Sequence, residues 1–139
     1  AGGIADGIGM AAAFAAGAEG VQMGTRFVSS VESPVHHNFK NSITSASIDG
    51  TLLLNKKSKP IIRALKTDLT HKIDEAGVMD MTALSGIKDL YFGGDMNASP
   101  ALSGQSSGLI DRVLSVQEII DNTVHEFNDT CQKMSNISL

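Results

Sequence analysis

The sequence predicts an α/β fold: the C-terminal βα units of a barrel, followed by an α-rich small domain. Three observations predict it. Ala1-Gly2-Gly3-Ile4-Ala5-Asp6-Gly7 and Gly20-Val21-Gln22-Met23-Gly24-Thr25-Arg26-Phe27 each read as a short apolar strand ending in a glycine loop. A Gly/Ala-rich helical stretch, Gly7 to Ala18, lies between them. Apolar residues at mostly helical spacing follow. Strand, loop, helix, strand and loop make a βαβ unit. Two such loops on neighbouring parallel strands can hold one phosphate, with backbone amides as donors. In a βα-barrel the loops after strands seven and eight are a frequent phosphate site.

The elements follow in order. Asp6 is placed to cap the first helix. Ile8, Ala11, Ala12, Ala15 and Ala16 give it a small-residue face that can sit close to a sheet, and Gly17 marks its end. Val21 and Met23 point one way along the next strand and Gln22 the other. Val28 to Glu32 suggests one helical turn, and Pro34 breaks or starts an element. His36 to Ala46 reads as helix, with Phe39 and Ile43 one turn apart. Thr51 to Leu54 is a short extended segment. Pro60 fits the first turn of a helix through Leu69, with Ile61, Ile62, Leu65 and Leu69 on its buried side. A helix is expected over Thr82 to Leu90, then a loop with Gly93, Gly94, Asn97 and Pro100. Ser115-Val116-Gln117-Glu118 has capping-box spacing. Val116, Ile119, Ile120, Val124, Phe127, Cys131 and Met134 continue from it as a packing stripe. The domain reading is 1–31 for two strands and their helix, 32–103 for the small domain, and 104–139 for C-terminal helices that can return over the barrel.

Composition narrows the function classes. A net charge of −4 argues against an obligate nucleic-acid partner. The most apolar stretch is too short to span a bilayer. The single cysteine, Cys131, excludes an internal disulfide and makes a reducing, cytoplasmic setting the expectation. A full βα-barrel takes roughly 250 residues. The 139 residues, opening inside a strand without an initiator Met, are therefore expected to be a C-terminal portion. Function then belongs to the complete polypeptide, and the portion alone is expected to be inactive.

Gly2, Gly3, Gly24 and Thr25 are the phosphate-binding candidates. Glycine lets backbone approach an anion, and Thr25 adds a hydroxyl. The bland alternative is that these glycines only make tight turns. Gln22 reaches a ligand only if its side chain faces the barrel mouth. Arg26 either adds charge near the phosphate or forms an outward salt bridge. Gly7-Ile8-Gly9-Met10-Ala11-Ala12 spells a relaxed dinucleotide fingerprint. It fails on context, because the following strand ends in Gly24-Thr25 and not in an acid. Gly104-Gln105-Ser106-Ser107-Gly108 spells a nucleophile elbow, but no buried strand precedes it. Gln105 either lines a pocket or packs. His36, His37, His71 and His125 have no metal-ligand spacing, and no metal is expected. His36 and Lys40, one turn apart, read as an exposed pair. Lys56, Lys57, Lys59, Arg63 and Lys66 form a basic cluster, read as solvated charge or as a dock for an acidic partner.

AGGIADG followed by GVQMGTRF resembles the end of the flavin barrel of the nitronate monooxygenases, formerly 2-nitropropane dioxygenases. The enoyl-ACP reductase II enzymes share that barrel. The resemblance is strong over Ala1 to Phe27 and present from Val28 to Asp68. It returns at Gly104-Gln105-Ser106-Ser107-Gly108-Leu109-Ile110, while Leu69 to Pro100 offers little. It implies an FMN-binding TIM barrel, with the FMN phosphate on Gly2, Gly3, Gly24 and Thr25 and with Gln22 near the flavin. It makes 104–108 a glycine-rich turn leading into helix. It further implies oxidation of an alkyl nitronate by molecular oxygen to a carbonyl compound and nitrite. The alternative reaction is FMN-dependent enoyl reduction with an acyl carrier protein as partner. A third alternative is a non-catalytic phosphate-binding or structural fragment. The family's catalytic histidine lies on an earlier strand, so none of the four histidines here takes that role and the catalytic residue is unknown.

Overall fold

A computed structural model of the chain describes residues 1–138. Asp6 opens α1 (Gly7–Ala15): its backbone is extended and its carboxylate accepts the Gly9 N–H at 2.7 Å. That satisfies one of the amides a helix start leaves without an intrahelical partner. Past the helix end, Gly17 takes φ 94°, a left-handed backbone that favours glycine. The single turn expected at 28–32 lies three residues earlier, as α2 (Thr25–Val28). Phe27 and Val28 both donate to the Gly24 carbonyl, so the turn closes on the glycine loop itself. By Ser30 the chain already forms an isolated parallel bridge to Leu114.

The expected helix after Pro34 is α3 (His37–Thr44). Phe39 and Ile43 point inward at 1% and 0% exposure, and pack with Leu65, Leu90, Ala101, Ile110 and Ala5 into the core. Phe39 meets Tyr91 edge-on at 5.0 Å, a favoured aromatic geometry. His36 and Lys40 are not an exposed pair. His36 Nδ1 accepts the Asn38 N–H at 3.2 Å and caps the helix, while Lys40 Nζ donates to the Ser30 carbonyl at 2.6 Å.

Thr51 to Leu54 is β1 (Thr51–Leu54), as expected. The helix expected from Pro60 to Leu69 does not form. Its first half is β2 (Ile62–Leu65), antiparallel to β1 with Thr51 opposite Leu65 and Leu54 opposite Ile62. Helical and pleated spacing are hard to separate over so short an apolar run, and tertiary pairing decides. Leu65 N–H donates to the Ala101 carbonyl at 2.9 Å on the far side, and Ala64 bridges Leu102. These put Ala64 and Leu65 at 0% and 2% exposure. The helix begins later, as α4 (Asp68–Ala76), with Thr67 as cap and Gly77 in left-handed backbone at its end. The helix expected over Thr82 to Leu90 is likewise replaced. A 3₁₀ turn spans Met81–Leu84 and a π-helical turn spans Asp89–Gly93.

α5 (Val116–Ser135) starts on the expected capping box. Ser115 Oγ accepts the Glu118 N–H at 3.2 Å, and the Glu118 carboxylate accepts the Ser115 N–H at 2.8 Å. Hydrogen bonds from the Ser115 hydroxyl and then its backbone hold the Glu118 carboxyl below its ordinary pKa. The stabilisation from that carboxylate is therefore present above the ordinary glutamate range and is lost as pH falls through the lowered value. Ser115→Ala is expected to cost about 1 kcal/mol, measured by urea unfolding at neutral pH. The apolar stripe of α5 is narrower than expected. Ile119 and Thr123 are buried and Phe127 is half-buried, whereas Ile120, Val124, Cys131 and Met134 are exposed. The inward row is 119, 123 and 127, one residue per turn. It faces α1, where Phe14 and Phe127 meet edge-on at 5.3 Å and Glu126 accepts the Gly7 N–H at 3.0 Å.

Among the described residues the only sheet is the β1–β2 pair. The two segments read as barrel strands, ending at Gly2-Gly3 and Gly24, carry no strand ladder. Among the described residues no hydrogen-bonded ladder joins them to each other or to another segment.

Candidate functional site

Both glycine loops leave their backbone open. Gly2 and Gly3 have φ 87° and 78°, where L side chains are strained, and a Cβ on either would meet nothing within 4 Å. A Cβ on Gly24 would also enter open space. Among the described residues, none of the N–H groups of Gly2, Gly3, Gly24 and Thr25 donates to a protein acceptor. Donors without acceptors and without side chains above them suit a tightly approaching oxyanion such as a flavin phosphate. The amino end of α1 behaves differently. Its Gly7 and Gly9 amides are taken by Glu126 and Asp6, so they are not free for a ligand.

Thr25 is half-buried, and its hydroxyl oxygen accepts the Gly104 N–H at 2.9 Å across 79 residues of sequence. Sequence reasoning missed this contact, because nothing local links residues 25 and 104. The Gly104 segment is the glycine-rich turn expected there: a 3₁₀ helix, Gln105–Leu109, and not a nucleophile elbow. Ser107 Oγ donates to the Gly104 carbonyl at 2.8 Å and lies 2.8 Å from Ser103 Oγ. Gly108 sits so close to the 47–48 backbone that a Cβ would come within 2.6 Å of Ile48 Cα. Gln105 is exposed. Gln22 is exposed as well.

Arg26 does not form the outward salt bridge that was one of its two expected roles. Its side chain is buried at 6% exposure, and both terminal nitrogens donate to the Arg112 carbonyl at 3.1 Å. Burial lowers its pKa, opposed by the nearby Asp111 carboxylate. It pins the end of the second glycine loop to the chain entering α5, and it lines a cavity of about 470 Å³ together with Ala5, Asp6, Thr123 and Glu126. That shared lining brings the stretches just after the two glycine loops into one neighbourhood. The basic cluster is partly neutralised, with Lys56 paired to Asp74 at 2.6 Å and Lys66 to Asp49 at 2.9 Å; Arg63 donates to the neutral Thr51 Oγ1 and keeps its charge uncompensated there. No helix among the described residues is long and apolar enough to cross a membrane.

With the glycine loops placed, the comparisons with known proteins define the class. A family model described as nitronate monooxygenase matches residues 1–126. The chain belongs to the nitronate monooxygenase family, a family of flavin-dependent oxidoreductases. A probable nitronate monooxygenase of Staphylococcus saprophyticus is 30% identical over 136 residues, covering 93% of this chain and 38% of that protein. FabK of Thermotoga maritima superposes with a TM-score of 0.90 at 42% identity, over 96% of this chain and 45% of FabK. A nitroalkane oxidase of Streptomyces ansochromogenes shares the fold, with a TM-score of 0.77 at 21% identity, over 96% of this chain and 40% of that one. The chain thus spans less than half the length of each of these relatives.

Proposed function

We propose that the full-length protein binds FMN non-covalently, with the phosphate on the backbone of Gly2, Gly3, Gly24 and Thr25 and with Gln22 near the flavin. The observation that carries this is the set of four backbone donors with no protein acceptor, in a chain matched by a flavoenzyme family over residues 1–126. Bound FMN supplies the two-electron redox chemistry, and the residues here bind and orient it. The unit boundaries proposed are 1–31 for the barrel end, 32–103 for the small domain and 104–139 for the closing helices. The packing of α5 on α1 supports a return of the last helix to the barrel end.

The reaction proposed is oxidation of an alkyl nitronate by molecular oxygen, giving a carbonyl compound and nitrite. The match to the nitronate monooxygenase family supports it. One observation favours a second reading. The 42% identity to FabK exceeds the 30% identity to the probable nitronate monooxygenase. FabK is an enoyl-ACP reductase II, so the alternative reaction is reduction of an enoyl thioester on acyl carrier protein. Anaerobic mixing of the full-length protein with each reductant separates the two. The expected result is rapid bleaching of the flavin by an alkyl nitronate and slow bleaching by NADH. Fast bleaching by NADH, with turnover on a crotonyl thioester, would transfer the assignment to the reductase.

A further inference from the structure

We infer that Gly104 is a positioning residue for the phosphate end of the cofactor site, acting through the hydroxyl of Thr25. The inference rests on the FMN reading above and adds a residue 79 positions away from the glycine loop. A threonine hydroxyl has one proton to donate and two lone pairs to accept with. Here the Gly104 N–H occupies one acceptor position at 2.9 Å. No protein group among the described residues receives the Thr25 proton. A hydroxyl held on its acceptor side, with its proton uncommitted, is free to donate to a ligand. It stands beside the free backbone donors of Gly24 and Thr25 itself.

The turn that carries Gly104 is braced. Ser107 Oγ holds the Gly104 carbonyl, Ser103 and Ser107 hydroxyls meet, and Gly108 is wedged against the 47–48 backbone. Gly104 itself has φ −75° and ψ 161°, which any residue adopts. Its lack of a side chain is needed for a different reason. A Cβ there would lie 3.0 Å from Thr25 Oγ1 and 3.3 Å from Ser106 Oγ. Alanine at 104 would therefore displace the Thr25 hydroxyl without forcing a new backbone conformation.

The test compares FMN with riboflavin, which lacks the phosphate, by titrating the full-length apoprotein and following flavin fluorescence. Gly104→Ala is expected to weaken FMN binding by about tenfold, within the range for losing a hydrogen bond to a charged group, and to leave riboflavin affinity unchanged. Thr25→Ala should do the same. The double variant should be no weaker than Thr25→Ala alone, since the added methyl then has no hydroxyl to displace. Equal weakening of FMN and riboflavin by Gly104→Ala would show a general structural role and overturn the inference. So would unchanged FMN affinity, or full additivity in the double variant. If Thr25→Ala itself leaves the preference for FMN intact, the placement of the phosphate at this loop fails instead.

Discussion

Gly24→Val in the full-length protein is expected to lower FMN affinity by tenfold or more while leaving the apoprotein's melting temperature nearly unchanged. The separation of the two effects follows from the backbone. Gly24 sits at φ −100° and ψ −69°, at negative φ, so valine there avoids the left-handed penalty it would meet at Gly2 and Gly3. Its Cβ would meet no protein atom within 4 Å. The cost to the apoprotein is that valine is a poorer N-cap than glycine, about 1 kcal/mol at the start of a one-turn helix, which moves the melt of a large domain by only a few degrees. A bound phosphate would feel the side chain directly. Losing even one charge-assisted hydrogen bond costs about 1.5–3 kcal/mol, and ~1.4 kcal/mol is already tenfold in affinity. Gly2 and Gly3 make poorer probes. At φ 87° and 78° a valine adds about 1–2 kcal/mol of backbone strain, which would mix with any loss of contact. Flavin content of the purified variant and its thermal melt decide the matter together. A Gly24→Val protein that retains a full complement of FMN would remove this loop from the cofactor site.

What could be read from the sequence was what short-range chemistry decides. Asp6, Ser115 and Glu118 act through amides within three residues, so their caps are visible in the spacing alone, and the structure shows both. Phe39 and Ile43 were visible as a pair one helical turn apart, and the structure buries both. Contacts that span the chain were not. Residues 62–65 have an apolar spacing that suits a helix as well as a strand. Only β1 on one side and residues 101–102 on the other make them a strand. Arg26 was weighed between a ligand and a salt bridge, yet its partner is a backbone carbonyl 86 residues away, which no side-chain pattern could announce. The candidate site divides along the same line. Its glycines are legible as motifs, whereas the brace from Gly104 to Thr25 exists only once residues 25 and 104 have been brought together.

Gly7→Ala is expected to destabilise the protein by about 2–4 kcal/mol. Two effects oppose each other at this position. Alanine in place of glycine helps a helix by up to about 1 kcal/mol, and less in the first turn. Against this stands the contact with α5. A Cβ on Gly7 would overlap the Thr123 carbonyl oxygen and the Phe127 amide nitrogen, and would lie 2.6 Å from Glu126 Cβ. The first two are backbone atoms inside a 20-residue helix, so no change of rotamer relieves them. The helices must separate instead. Separation weakens the hydrogen bond from Gly7 N–H to Glu126, the Phe14–Phe127 contact and the burial of Ile119 and Thr123. The contact term therefore outweighs the propensity term. Gly9 serves as the control two residues along the same helix. A Cβ there lies 3.2 Å from Asp6 Oδ1 and 3.5 Å from Ile4 Cγ2, both side-chain atoms that can shift. Gly9→Ala should stay within about 1 kcal/mol of the parent. Thermal and urea unfolding of both variants in the full-length protein measure the difference. If Gly7→Ala unfolds no more easily than Gly9→Ala, then α5 does not lie across the start of α1.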